Sequence, residues 1–136
     1  MNIQITVGTL RFKGRLETER APQTCAAFRS RLPFRGRLLQ ARWSGEAAWI
    51  PLGDLRFGVS YENHTSHPAP GHILLYPGGF SETEILFPYG ACSFSSKLGQ
   101  LAGNHFITIT EGAEQLGSLG ERVLLHGAQD IVFEAE

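Results

Sequence analysis

Four short groups of polar and aromatic side chains are the best candidates for chemistry in this chain. The first group is Arg42, Trp43 and Glu46. A guanidinium can hold a carboxylate with two parallel hydrogen bonds, an indole ring offers a face for stacking, and a glutamate can act as an acid or an acceptor. The structural alternative is an Arg42–Glu46 ion pair at the end of a strand, with Trp43 in the core.

The second group lies in a polar segment, residues 61–71, that is rich in strand-breaking residues. Asn63 is a candidate for hydrogen bonding to a ligand. His64 and His67 are three residues apart, so both imidazoles could reach one metal ion. Two histidines at this spacing are a weak pattern without a third ligand, and a solvated loop is the alternative. We therefore predict no metal site and no other cofactor.

The third group is Glu82, Glu84 and Tyr89. Residues two apart in a strand share a face, so both carboxyl groups would point the same way. Two carboxyl groups in different environments can divide the roles of acid and base. We expect Glu84 to point inward and Tyr89 to lie at the mouth of a pocket. The alternative is an exposed acidic edge that discourages pairing with other strands.

The fourth group is Asn104 and His105, which follow a glycine-rich segment and precede an apolar strand. An imidazole titrates near neutral pH, so His105 is a candidate for proton transfer beside Glu46 and Glu84. The structural alternative is that His105 only makes hydrogen bonds within the barrel. The chain has no GxSxG, phosphate-binding loop or dinucleotide-binding glycine motif that would fix a reaction.

Composition excludes several classes of partner. The chain has 136 residues, a net charge of -1 and 42% hydrophobic residues, which predicts one globular domain over residues 1–136. A charge this small argues against nucleic acid and anionic membranes as partners. The chain shows neither a signal-like start nor an apolar run of bilayer length, which predicts a cytoplasmic location. Cys25 and Cys92 lack zinc-ligand spacing and are expected to be buried or half-buried thiols, with a disulfide between them as the alternative.

The elements that must position these groups are mostly short strands. Ile3, Ile5 and Val7 alternate with polar residues, as in a half-buried strand, and similar runs recur along the chain. The 16 glycines and 7 prolines favour many turns. Many short strands with little helix predict a mainly β fold that closes into a barrel. We expect strands also over residues 55–59 and 123–126.

One helix is expected over about residues 22–32. Pro22 suits a first helical turn, Cys25, Phe28 and Leu32 form an apolar stripe, and Pro33 should end the helix. A short second helix is expected over about residues 112–119.

The opening of the chain resembles that of the cyclophilins, the peptidyl-prolyl isomerases. The matching residues are APQT at 21–24, followed by Phe28, Arg29 and Leu32, and GNHFI at 103–107, the segment that lines the proline pocket in those enzymes. The remaining chain is similar to a bacterial branch of cyclophilin-like proteins without assigned activity. The segments that carry this second likeness are ARWSGE at 41–46, WIPLG at 49–53, EN at 62–63, PGHILLYP at 70–77, SETEI at 81–85 and FPYG at 87–90.

This resemblance implies a cyclophilin-like closed β-barrel and no known reaction. Arg42 is the match to the catalytic arginine of the isomerases. The glutamine that follows that arginine in the isomerases is absent here, and Glu46 enters the segment instead.

We predict that the protein binds a small molecule or a peptide in a groove on the barrel, and leave open whether it catalyses acid/base chemistry. The expected lining is Arg42, Trp43, Glu46, Asn63, Glu84, Tyr89, Asn104 and His105. The alternatives are a peptidyl-prolyl isomerase and a non-catalytic interaction or oligomerisation module, and a homo-oligomer is compatible with the prediction.

Overall fold

The computed structural model describes all 136 residues as eleven strands and two α-helices. The strands are β1 (Asn2–Val7), β2 (Leu10–Leu16), β3 (Phe34–Gln40), β4 (Gly45–Gly53), β5 (His64–Thr65), β6 (His72–Tyr76), β7 (Thr83–Cys92), β8 (Ser95–Ser96), β9 (Gly99–Gln100), β10 (Gly103–Glu111) and β11 (Gln129–Ala135). Helix α1 covers Pro22–Arg29. Helix α2 covers Leu116–Glu121, between a 3₁₀ turn at Ala113–Gln115 and a π-helical turn at Arg122–His126.

Eight of the strands form a closed antiparallel barrel. Their order around the barrel is β2-β1-β11-β3-β4-β7-β6-β10, and β10 pairs back with β2. The pairing of Leu16 with Ile107 belongs to this closing seam. Closure leaves none of the eight strands with a free edge. The prediction of a mainly β closed barrel is confirmed.

Alternation along the strands separates the barrel interior from its outer wall. In β7, Ile85 and Phe87 belong to the main core of 25 buried residues, whereas Leu86 belongs to a second cluster. Successive side chains of a strand point to opposite faces, so the second cluster lies outside the barrel. We call it the outer cluster. Its members are Ala41, Ala47, Leu74, Tyr76, Leu86, Phe94 and Leu101, with Trp49 and Cys92 packed against them.

The segment that contains the β8–β9 hairpin covers this part of the outer wall. Phe94 and Leu101 flank the hairpin and are buried in the outer cluster. Their backbones are joined by a hydrogen bond from the N–H of Leu101 to the carbonyl of Phe94, 3.0 Å long. The hairpin is therefore held on the wall by apolar burial on both of its sides.

Helix α1 buries Cys25 and Phe28 in the main core, as its apolar stripe predicts. It ends at Arg29, earlier than the expected residue 32. The Ser30 hydroxyl donates to the carbonyl of Ala27, 2.7 Å away, at the end of the helix. Leu32 precedes a proline, a position that disfavours helical backbone.

The C-terminal helical region is longer than expected. It runs from 113 to 126 rather than from about 112 to 119, and the strand expected over 123–126 is wrong. Leu116, Leu119 and Val123 are buried at helical spacing, whereas Leu124 and Leu125 are 60% and 66% exposed. A strand would have buried alternate residues instead.

The strand expected over residues 55–59 is also wrong. Gly53 and Gly58 have φ values of 56° and 72°, in the left-handed region, so the backbone turns on both sides of Phe57. No helix of the structure combines the length and the apolar composition needed to cross a membrane.

Candidate functional site

A cavity of about 390 Å³ opens on the outer wall of the barrel, beside the β8–β9 hairpin. We call it the wall cavity. It lies between the β3–β4 turn, the start of β7 and the strand β8. The lining residues are Leu39, Gln40, Ala41, Arg42, Trp43, Ser44, Trp49, Ser81, Glu82, Glu84, Ser95, Ser96 and Lys97.

Ser44 joins two walls of the cavity. Its hydroxyl donates to the carbonyl of Ser95, 3.1 Å away, and accepts from the N–H of Ser95 at 3.0 Å. Its carbonyl accepts from the N–H of Ser93 at 2.9 Å. Since Ser44 is buried, these bonds fix the turn that carries Arg42 and Trp43 against the hairpin that carries Lys97.

Arg42 and Lys97 are the two cations of the lining. Both side chains are exposed. Neither takes part in the salt bridges of the chain, which involve Lys13, Arg15 and Arg37 instead. Both charged groups are therefore free to bind a ligand.

Glu84 is the buried carboxyl group of the cavity. Its residue is only 7% exposed, and its carboxyl group opens on the cavity rather than on the core. Burial raises the pKa of Glu84 to about 8, and the charge of Glu82 adds to the effect. At neutral pH Glu84 is therefore mainly a neutral acid, which can donate a hydrogen bond.

Glu82 and Tyr76 shape the entrance beside Glu84. The Glu82 carboxylate accepts a hydrogen bond of 3.1 Å from the N–H of Gly53. The buried Tyr76 hydroxyl accepts from the N–H groups of Phe80 and Ser81, each at 3.0 Å, which fixes the turn that leads into β7.

Two indole rings face the cavity. Trp43 is 55% exposed at its edge, and Trp49 is half-buried against the outer cluster. The structural alternative, in which Trp43 lies in the core, is therefore wrong. An exposed indole face beside a cavity can stack on a planar ligand.

The eight expected lining residues are not all brought together. Arg42, Trp43 and Glu84 line the wall cavity. Glu46 does not, because it points toward β7, where its carboxylate accepts from the N–H of Ala91 at 2.8 Å. Tyr89 also lies outside the lining, and its hydroxyl donates to the side-chain oxygen of Gln40, 2.6 Å away, so it positions a lining residue.

Asn63, Asn104 and His105 lie in a second cluster, around β10. The Asn104 amide oxygen accepts from the N–H of Glu62 at 2.7 Å, and its nitrogen donates to the hydroxyl of Thr24 at 3.0 Å. The Asn63 side-chain nitrogen donates to the carbonyl of His105 at 2.8 Å. These bonds tie the polar loop to β10 and α1.

His105 is joined to a chain of polar side chains. Its Nε2 is 2.8 Å from the Thr108 hydroxyl, which donates to the Glu17 carboxylate at 2.6 Å. Its ring stacks on His72 with centroids 4.4 Å apart. Burial lowers the pKa of His105, and the neighbouring His72 lowers it further. A hydroxyl that donates to Glu17 must accept from His105, which places the Nε2 proton on His105.

The histidines of the polar loop do not form a metal site with their neighbours. His64 and His67 are exposed, and the His64 ring stacks on Tyr61 at 4.2 Å. No group of three His, Cys, Asp or Glu side chains in the structure is arranged to hold a metal ion.

Trp49, Lys97 and the serines of the lining are not among the site residues predicted from the sequence. Trp49 lies in β4, and an indole within a strand is usually core. Lys97 lies in a segment of small polar residues without a local motif, and only the contacts of Ser44 show that this segment reaches the β3–β4 turn.

Together, the closed barrel, its two short helices and the wall cavity define a small β-barrel protein with a candidate binding site on its outer surface. The chain belongs to the DUF3830 family, proteins of unknown function, whose family model matches residues 3–135. No curated protein matches this sequence. The likeness to cyclophilins stays a prediction.

Several solved structures are similar to this chain, and two of them illustrate the shared fold. McbB, solved in complex with tryptophan, superposes with a TM-score of 0.71 at 14% identity over 98% of this chain and 44% of McbB. This chain therefore spans less than half the length of McbB. The hypothetical protein AF2241 from Archaeoglobus fulgidus superposes with a TM-score of 0.59 at 16% identity, over 100% of this chain and 95% of that one. At these identities the likeness shows the fold alone.

Proposed function

We propose that this protein binds a small, ring-bearing polar molecule in the wall cavity. The observation that carries the proposal is Glu84, a largely buried carboxyl group that lines a cavity edged by the exposed indole of Trp43. A carboxyl group with so little exposure gains from a ligand that supplies a hydrogen bond inside the cavity.

The size and make-up of the cavity support this proposal. Its volume of about 390 Å³ lies in the range of small-molecule sites, about 300–1,000 Å³. Such sites combine ring-bearing walls with a few convergent polar groups. McbB, which has the same fold, has been solved with tryptophan, so an aromatic amino acid is a reasonable member of a first screen.

A fragment screen read by two-dimensional NMR tests the proposal. Binders should shift the backbone amides of residues 39–44, 81–84 and 95–97. Trp43 and Trp49 are the only tryptophans of the chain, so their fluorescence reports on the same site. Trp43→Ala should weaken binding about tenfold through loss of stacking and contact area.

Leu125→Ala is the matched control, because Leu125 is also an exposed apolar residue but lies in the π-helical turn, outside the cavity. It should leave binding unchanged. The proposal is wrong if no compound in the screen shifts the amides of the cavity, or if the two variants weaken binding equally.

A second candidate function is proton transfer by Glu84 to or from the bound molecule. A pKa near neutrality in a cavity suits a general acid or base. Binders from the screen would be incubated in deuterated water, and deuterium uptake at their C–H positions followed by NMR. Uptake that is lost in Glu84→Gln supports this role, and absence of uptake with every binder excludes it for these compounds.

The two alternatives from the sequence stay predictions with tests of their own. Accelerated cis–trans exchange in an X-Pro peptide, lost in Arg42→Ala, would support a prolyl isomerase. A stable dimer or larger assembly that is lost in Phe80→Ser would support an interaction module, since Phe80 is 61% exposed beside the cavity residue Ser81.

A further inference from the structure

We propose that the wall cavity selects anions and that its ligand is a ring-bearing carboxylate. Arg42 and Lys97 bind the carboxylate, Glu84 donates a hydrogen bond to a ligand oxygen, and Trp43 covers the ring. This inference rests on the proposed function, because it names the ligand class of the same cavity.

The charge of the lining favours an anionic ligand. Arg42 and Lys97 enter the cavity without an ion pair, although the chain has other exposed carboxylates. A ligand carboxylate would therefore form charge-assisted hydrogen bonds without breaking an existing pair. The planar fork of Arg42 matches the two oxygens of a carboxylate.

The state of Glu84 points to the same ligand class. Four titratable or charged residues lie on the elements around it: Glu82 just before β7, Tyr76 opposite Glu84 on β6, and Arg42 and Lys97 in the lining of the same cavity. Burial is the main cause that keeps the carboxyl group of Glu84 protonated at neutral pH, and the charge of Glu82 adds to it.

The uncharged state of Glu84 leaves two cations against one carboxylate in the lining, that of Glu82. One oxygen of Glu82 is already engaged by the N–H of Gly53. A protonated Glu84 also has a hydrogen that it can donate into the cavity. An anionic oxygen of a ligand supplies an acceptor, whereas an ammonium group would offer only donors.

Exposed apolar side chains lie at the rim of the cavity. Trp43 is largely exposed beside Arg42, and Phe80 and Leu98 are exposed next to the lining residues Ser81 and Lys97. Apolar side chains beside two cations fit a ligand that carries its charge on an aromatic body.

Three probes of matched shape and different charge test the inference. They are phenylacetate, phenylacetamide and phenethylamine, each titrated into the full chain at pH 7 with tryptophan fluorescence and NMR as readouts. Phenylacetate should bind about tenfold more tightly than either of the others. Acetate, which lacks the ring, should bind more weakly than phenylacetate.

Substitutions assign the charge preference to the cavity. Arg42→Gln and Lys97→Gln should each weaken phenylacetate binding about tenfold and leave phenylacetamide binding nearly unchanged. Arg35→Gln is the matched control, because Arg35 is an exposed arginine of β3 outside the cavity. It should change neither affinity.

The pH dependence assigns the role of Glu84. Phenylacetate binding by the wild type should weaken about tenfold between about pH 7 and pH 9, as Glu84 ionises and repels the anion. Glu84→Gln keeps a donor without a charge, so this variant should bind phenylacetate at pH 7 and lose most of that pH dependence.

The outcomes separate this inference from the proposed function. If phenylacetamide or phenethylamine binds in the cavity as tightly as phenylacetate, the anion preference is wrong and the proposed function stands. If the NMR screen finds no binder of any charge in the cavity, both fail. Equal weakening by Arg35→Gln and Arg42→Gln would also overturn the inference, because the effect would then come from net charge.

Discussion

Glu62 and Thr24 are 38 residues apart, and the Glu62 carboxylate accepts hydrogen bonds from both the N–H of Thr24, at 2.8 Å, and its hydroxyl, at 2.7 Å. It also accepts from the N–H of Gln23 at 3.0 Å. These N–H groups belong to the first turn of α1, whose own N-cap residue, Ala21, has no side chain to bond them. The polar loop therefore caps the helix from outside.

The first prediction concerns this cap. Glu62→Ala should lower the free energy of unfolding by about 1–3 kcal/mol at pH 7, measured by urea denaturation, because it leaves the part-buried N–H of Thr24 and the exposed N–H of Gln23 without their acceptor. Glu19→Ala is the control, because it removes an exposed carboxylate in the segment before α1. This variant should change the free energy of unfolding by less than about 0.5 kcal/mol. Equal effects of the two substitutions would contradict the capping role.

The pH dependence of the cap has a definite sign. Partial burial alone would raise the pKa of Glu62, but the hydrogen bonds from Thr24 and Gln23 outweigh it and hold the pKa below its ordinary value of 4.5. A pKa lowered by folding contributes stability above the unfolded value and loses it as the pH falls through the folded value. The difference in the free energy of unfolding between wild type and Glu62→Ala should therefore become smaller as the pH falls below about 4.5.

The second prediction compares two glycines of α2. A Cβ at Gly120 would overlap the ring of Tyr89, whereas a Cβ at Gly117 would meet no atom within 4 Å. Gly120→Ala should lower the free energy of unfolding by about 1–3 kcal/mol, because the Tyr89 ring must move. Gly117→Ala should raise it by up to about 1 kcal/mol, since alanine is the better helix former.

Thermal or urea denaturation of the two alanine variants checks this pair. If Gly120→Ala were as stable as Gly117→Ala, the close packing of α2 on β7 would be wrong. A loss in Gly120→Ala that disappears when Tyr89 is also replaced by leucine would assign the cost to that one contact.

The sequence predicted those strands and helices whose apolar residues recur at a regular spacing. The alternation of Ile3, Ile5 and Val7 predicted β1, and the spacing of Cys25 and Phe28 predicted the buried face of α1. The short helix expected over about residues 112–119 included Leu116 and Leu119 of the buried stripe. Its continuation to Val123 and His126 was missed because Gly120 and the apolar run that follows it resemble a turn and a strand.

The candidate site was predictable only in part, because it is assembled from distant segments. Arg42 and Trp43 are neighbours in sequence, so their common role could be predicted. Lys97 joins them through Ser44 and Ser95, which are 51 residues apart, and no local pattern encodes that contact. His105 was placed with them by resemblance, whereas the strand order puts β6 and β7 between β10 and β4.

The third prediction concerns the stacked pair His72 and His105. Burial is the larger cause of the lowered pKa of His105, and His72 is the second. NMR titration should find the His105 pKa below 6.5 in the wild type. His72→Gln should raise it, and His67→Gln, which changes an exposed histidine of the polar loop, should not.

The sign of the stability effect follows from the same shift. A histidine with a lowered pKa binds fewer protons folded than unfolded, so it reduces the free energy of unfolding as the pH falls below 6.5. His72→Gln should weaken this acid dependence. A His105 pKa at or above 6.5 in the wild type would refute the prediction.

The last prediction concerns Glu84 in the absence of any ligand. Folding raises the pKa of Glu84 from 4.5 to about 8, so the folded chain binds the proton more tightly than the unfolded chain. The contribution of this group is fully present below about pH 4.5 and is lost as the pH rises through about 8. Each tenfold change in the ionisation constant corresponds to about 1.4 kcal/mol, so the loss amounts to a few kcal/mol.

Urea denaturation of the wild type and of Glu84→Gln across this pH range measures the effect. Glutamine has no charge to desolvate, so the variant should gain stability relative to the wild type as the pH rises, and the gain should level off above about pH 8. Glu82→Gln is a second test, because Glu82 is an exposed carboxylate of the same cavity whose charge raises the pKa of Glu84. In this variant the pKa of Glu84 should be lower, so its loss of stability with rising pH should level off at a lower pH than in the wild type. If the free energies of unfolding of wild type and Glu84→Gln differ by the same amount at every pH, Glu84 is ionised in the folded protein at neutral pH. The neutral hydrogen-bond donor on which the anion preference depends would then be absent.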